Sequence, residues 1–355
     1  MAFESTEVTE PSRLLCLPFE LREEIWTYLF NSTRLSFGLR YSPRHGERLM
    51  RPAPHSLALL RICHQTYAET HDIWIQRVLF NFEDPQTMLN KLSEIPESTV
   101  AKIRHLRLVG SPMMRYLKGF DDLMYRQDSV FHLVPALRLD CLTIIAVAPA
   151  APEYDAVTNL INRGNGWKEL RYITRSSRML GFSPSRSHGS RETGDIRRQP
   201  QPRFWNKKLL NRDGEGSGAV IEVYRTLEED DPESVLCPSR RELFEQNPED
   251  GLKDFGLVDD EAMTKGAGAR KALLVSVKRG DNVDFSQRSP GYGKERDMKA
   301  RFNKRSWRAR KKIIIWTPLD KEKDDDDDHV GNGWARPQIR QPMQACDNYY
   351  DIDEM

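Results

Sequence analysis

The first patterned stretch of the chain is LPFELREEIWTYLF, in which Pro18 suits the first turn of a helix and acidic residues follow it at once. The spacing predicts a helix over 19–30. At 100° per residue Leu21, Ile25, Tyr28 and Leu29 share one stripe, and Trp26 and Phe30 widen it until the apolar arc approaches about 200°, roughly twice what one buried face needs. Such a helix calls for contacts on two sides. Burying its Leu, Ile, Trp and Phe side chains contributes about 10 kcal/mol, comparable to the backbone entropy of ordering the segment, so it does not stand alone. Residues 31–56 hold three prolines, two histidines and two glycines and read as a loop. From Leu57 onward Leu60, Cys63, Tyr67, Trp74 and Val78 fall within about 60° of one another on a helical wheel, which predicts one long amphipathic helix. Closing the intervening loop costs only about 1.3 kcal/mol more than closing a short one, so the two helices can pack together. NF beside Phe80 predicts a short strand. Asp84 and Pro85 then read as the N-cap and first residue of a helix carrying Met88, Leu89, Leu92 and Ile95.

From Ile103 the texture changes to short apolar runs alternating with helical stretches. IRHLRLVG, LRLDCLTIIAV and LRYIT read as strands, with helices around 120–134 and 153–163 between them. The strand centres Leu106, Leu139 and Leu170 lie 33 and 31 residues apart, about one strand plus one returning helix. With right-handed crossovers this predicts either a small parallel sheet or a short solenoid of weak leucine-rich-repeat-like character. Residues 183–203 are rich in Ser, Arg, Pro and Gln and read as a flexible linker. Beyond them FWNKKLL reads as a helix, GAVIEVYRTL as a strand, RRELFEQ as a helix, and KALLVSVKRG and KKIIIWTPL as strands, together a small α+β unit over 204–317. The acidic tail, 318–355, lacks apolar pattern and is expected to be disordered.

Composition narrows the chemistry. A chain of 355 residues suggests two or three globular units, and 54 basic against 53 acidic residues leave a net charge of +1, so only local charge is informative. The longest apolar stretch, 141–148, is far too short to cross a bilayer, and MAFESTEVTE has no apolar core of a secretory signal, so no membrane partner is expected. Cys16, Cys63, Cys141, Cys237 and Cys346 are odd in number and widely spaced, which suits a reducing cytoplasm or nucleus and removes zinc-finger and dithiol chemistry. GEGSGA lies between a helix and a strand, whereas phosphate loops run from strand into helix, and it reads as a turn. KGAGARK and SPGYGK read as loops. His64 and His71 stand about 10 Å apart along a helix, too far to share an ion, and read as partly buried structural residues. Cys63 belongs to the core stripe and not to a nucleophile–base pair with His64. No catalytic signature occurs, so neither an enzyme nor a cofactor or metal is expected. The strongest charge feature is 294–312, with ten Lys or Arg against Glu295 and Asp297. Lys304, Arg305, Trp307, Arg308, Arg310, Lys311 and Lys312 are candidates there for nucleic-acid or nuclear-import contacts. The alternative is a solvated run neutralised by the acids of 320–330.

The N-terminal pattern resembles the fungal F-box-like families, in which L-P-x-E-[IL]-R-x-x-I-W-x-x-L precedes a segment like L-L-R-x-C-x-Q-x-Y-x-E-T. Here these are Leu17-Pro18-Phe19-Glu20-Leu21-Arg22 through Ile25, Trp26 and Leu29, then Leu59-Leu60-Arg61-Ile62-Cys63-His64-Gln65-Thr66-Tyr67-Ala68-Glu69-Thr70. IRHLRLVG and GWKELRYI look like the α/β region that often accompanies this head. The resemblance implies an α+β protein with an F-box-like helical head over 13–82, interrupted by the loop 31–56, an α/β repeat-like region over 83–182 and a partly disordered tail. It implies a non-catalytic adaptor that docks on the Skp-type linker of a cullin-RING ubiquitin ligase and recruits a protein substrate. Carried over by position, Leu17, Pro18, Leu21, Ile25 and Leu29 form the docking surface. The residues themselves leave open a second arrangement, in which those five pack against the 60–78 helix. Two other functions stay open: a nuclear nucleic-acid-associated protein acting through 294–312, and an F-box-shaped structural protein without linker binding.

Overall fold

The computed structural model describes residues 12–42, 46–110, 131, 134–147, 150–180, 203–229, 232–246 and 266–285. The strands are β1 (Arg34–Ser42), β2 (Gly46–Met50), β3 (Leu79–Phe82), β4 (His105–Gly110), β5 (Leu139–Ala146), β6 (Trp167–Thr174), β7 (Val220–Thr226), β8 (Arg241–Gln246) and β9 (Leu273–Lys278). The helices are α1 (Phe19–Asn31), α2 (His64–Thr70), α3 (Trp74–Arg77), α4 (Pro85–Leu92), α5 (Glu97–Val100), α6 (Ala150–Arg163), α7 (Arg203–Asp213) and α8 (Gly266–Arg270). The fold is mixed α/β, with one nine-stranded sheet in the order β2-β1-β3-β4-β5-β6-β9-β7-β8. Strands β1, β3, β4, β5 and β6 run parallel in chain order, while β2 at one side and β9, β7 and β8 at the other join antiparallel. The sheet thus draws strands from each of the stretches 13–82, 83–182 and 204–317.

Period-two patterning decides which face each residue takes. Leu35, Phe80, Leu106, Leu142, Leu170, Val277 and Ile221 are register partners in one row, and Phe37, Phe82, Leu108, Ile144, Tyr172, Val275 and Val223 form the next row on the same face. These rows belong to the main apolar cluster. To it α1 adds Trp26 and Phe30, α4 adds Met88, Leu89 and Leu92, α6 adds Val157, Leu160 and Ile161, and α7 adds Trp205 and Leu209. On the opposite face Ile145, Ile173 and Leu274 form a smaller cluster with Val235 of the 3₁₀ segment Pro232–Leu236. The same face carries a polar row of register partners: Ser36, Asn81, Arg107, Thr143, Arg171, Ser276 and Glu222.

Several sequence expectations hold: α1, the Asp84 cap of α4, and the strands of the middle region, with β4, β5 and β6 parallel and adjacent. Others are corrected. The stretch 31–56 is not simply a loop, because β1 and β2 form a hairpin within it and β1 also pairs with β3. RLSFGLRY alternates apolar and polar residues, a strand signal masked by the flanking prolines and histidines. Gly38, at φ +121°, lies where an added Cβ would come within 2.9 Å of the Glu83 Cβ, so only glycine fits there.

The single long helix after Leu57 is also corrected. It is a 3₁₀ turn (Ala58–Arg61), then α2 and α3. Cys63 is extended and caps α2, its Sγ accepting from Thr66 N at 3.5 Å, so it is a cap and not part of a core stripe. Thr66 and Thr70 turn inward and Tyr67 faces solvent. His64 and His71 are exposed, not partly buried. RRELFEQ is an edge strand, β8, because its apolar residues are adjacent instead of helically spaced and β7 offers a free edge. KGAGARK contributes the short α8. The expected helix around 120–134 falls almost wholly outside the described residues. KKIIIWTPL, the linker 183–203 apart from Arg203, the run 294–312 and the tail 318–355 lie outside them too.

Candidate functional site

Helix α1 turns one stripe inward and leaves the rest outside. Arg22, Trp26 and Phe30, four residues apart, are its buried residues. Trp26 and Phe30 enter the main cluster. Arg22 is held by Glu69 of α2: its Nη2 donates to Glu69 Oε1 at 2.6 Å and its Nε to Oε2 at 3.1 Å. Trp26 Nε1 donates to Glu69 Oε2 at 3.1 Å, and Gln65 Nε2 donates to Oε1 at 3.1 Å. The remaining Arg22 nitrogen, Nη1, donates to Leu15 O at 3.2 Å and to Leu17 O, so the guanidinium also fastens the segment leading into the helix. These donors, above all Arg22, hold the Glu69 carboxyl down from 4.5 to about 2. Four donated bonds on one carboxylate make a latch between α1 and α2. Sequence reading missed it. The available signal was an arginine four residues before Trp26, inside an otherwise apolar stripe.

The side chains of the five candidate docking residues stand outside this latch, although the Leu17 carbonyl accepts from Arg22. Leu17 is half-buried and Pro18 exposed at the start of α1. Leu21 is 47% exposed, Ile25 40% and Leu29 42%, with neighbouring Tyr28 at 78%. The core contacts of α1 are made by Trp26 and Phe30 instead. Among the described residues Leu21, Ile25 and Leu29 therefore form an exposed apolar flank of α1. Scattered exposed apolar residues are ordinary, but four on one helical sector form a patch of the kind that marks interaction surfaces.

No protein-family model matches the chain, and no curated protein or solved structure matches it either.

Other chemistry-bearing groups among the described residues are placed structurally. Arg107 and Glu233, both buried, form an ion pair that ties the 3₁₀ segment to the polar row of the sheet. Arg279 and Asp213 form another buried pair, and Asp213 Oδ2 also accepts from Gly280 N at 2.8 Å. Burial lowers the His105 pKa and raises that of Cys141. The hydrogen bond from Thr66 lowers that of Cys63. Among the described residues no three His, Cys, Asp or Glu side chains gather as a metal site, and no helix is long and apolar enough to cross a membrane. Lys304, Arg305, Trp307, Arg308, Arg310, Lys311 and Lys312 lie outside the described residues.

Proposed function

We propose that this protein is a non-catalytic interaction module, a substrate-recruiting F-box-like adaptor that docks on the Skp-type linker of a cullin-RING ubiquitin ligase through α1. The F-box-like character of the head and the repeat-like character of the middle region belong to this proposal. One observation carries it: among the described residues Leu21, Ile25, Tyr28 and Leu29 are exposed on one side of a helix whose other side is anchored. An anchored helix presents its apolar flank without paying ordering entropy on binding, which favours a docking role.

The test is a pull-down of purified Skp-type linker by the full chain, comparing wild type with Leu21→Asp and Ile25→Asp. Capture by wild type and loss in both variants is the expected result. Absence of capture by wild type refutes the adaptor role.

A further inference from the structure

The exposed surface of α1 is not uniform. Taking Trp26 as zero and 100° per residue, Leu29, Ile25, Leu21 and Tyr28 occupy a sector from about −60° to −160°, and Glu23, Glu20 and Glu24 one from about +60° to +160°. Glu24 and Glu20 thus border Tyr28 and Leu21 on the outermost side of the helix. All three glutamates are exposed. Arg22, the one basic residue of α1, is buried and hydrogen-bonded to Glu69, and of the three glutamates its charge acts on Glu20. The surface offered to a partner is therefore an apolar strip with an anionic rim. A second copy of this helix brings no cation to meet that rim.

We propose that the occupant of this face is a cationic amphipathic helix, whose apolar stripe covers Leu21, Ile25 and Leu29 and whose Lys or Arg residues meet Glu20 and Glu24. The inference rests on the reading of α1 as a docking face and adds the chemistry of the partner. Exposed pairs of this kind contribute little each, but together they speed encounter and reject anionic competitors. The association is accordingly salt-sensitive.

The experiment measures fluorescence anisotropy of two synthetic helical peptides with the same leucine stripe, one flanked by Lys and one by Glu, titrated with the full chain. The Lys peptide is expected to bind about 10-fold or more tighter than the Glu peptide, and the triple variant Glu20→Gln, Glu23→Gln, Glu24→Gln to lose about 10-fold of that affinity. The charge-neutral pair Leu21→Ser and Ile25→Ser is expected to abolish binding. Equal binding of the two peptides, or binding of neither, overturns the proposal. So does Lys-peptide binding that survives the serine pair, which would place it on another acidic stretch such as 320–330. The purified linker is run in parallel. A linker captured equally by wild type and the triple glutamine variant overturns the cationic partner and leaves the adaptor reading standing. Lys-peptide binding on α1 without any linker capture does the reverse.

Discussion

Exchanging Leu21 for serine is expected to leave the melting temperature within about 4 °C of wild type, whereas Trp26→Ala lowers it by about 6–20 °C. The two residues are five positions apart on α1 but face opposite environments. Trp26 is 2% exposed, packs into the main cluster and donates to Glu69. Truncating a buried aromatic of this kind costs about 3–5 kcal/mol. Leu21 is 47% exposed, so at most about half of the usual 1.5–3 kcal/mol of leucine burial is at stake, about 1 kcal/mol. For a folded body of this size each kcal/mol moves the melting temperature by about 2–4 °C, which separates the two variants clearly. Thermal melts followed by far-ultraviolet circular dichroism on the full chain make the comparison. A Leu21→Ser variant that falls as far as Trp26→Ala would show that the outward flank is covered by the chain itself, and the docking argument would fail.

Three further outcomes follow from the same geometry. The folded Glu69 pKa of about 2 lies below its ordinary 4.5, so the latch stabilises fully above pH 4.5 and is lost as pH falls toward 2. Acid titration followed by tryptophan fluorescence should show that loss in wild type and a flatter curve in Glu69→Gln. Arg107→Ala removes the ion-pair partner of the buried Glu233 carboxylate and is expected to cost about 3–5 kcal/mol in urea unfolding, while replacing both residues by methionine costs much less. Asp84→Ala removes the cap in which Oδ1 accepts from Thr87 N and Oδ2 from Thr87 Oγ1, both at 2.7 Å, and is expected to lower the melting temperature by about 2–4 °C.

Local signals in the chain were legible where one residue type has one physical use. Pro18 before α1, Asp84 and Pro85 at α4, and the β-branched and leucine-rich runs of β4, β5 and β6 each predict their element. That the apolar residues of α1 cannot all lie on one buried face was legible too, since Trp26 and Phe30 could not share a face fully with Leu21 and Ile25. What escaped depended on distant partners. β1 looked like loop because its alternation is short and flanked by prolines, and its pairing with β2 and with β3, far along the chain, makes it a strand. β8 has no period of its own and takes its form from the free edge of β7. The Arg22–Glu69 latch joins residues 47 positions apart, so neither residue announces the other. The polar row from Ser36 to Glu222 is a property of register across seven strands and is invisible in any single segment.

That separation between Arg22 and Glu69 also sets an order of events during synthesis. At roughly 5–20 residues per second the first helix leaves the ribosome roughly 2–10 s before its anchoring carboxylate exists. Until then the indole of Trp26 and the ring of Phe30 are as open to the surroundings as the outward flank. A nascent chain halted in that interval presents a helix apolar over about 200° of its circumference, a surface that suits a chaperone.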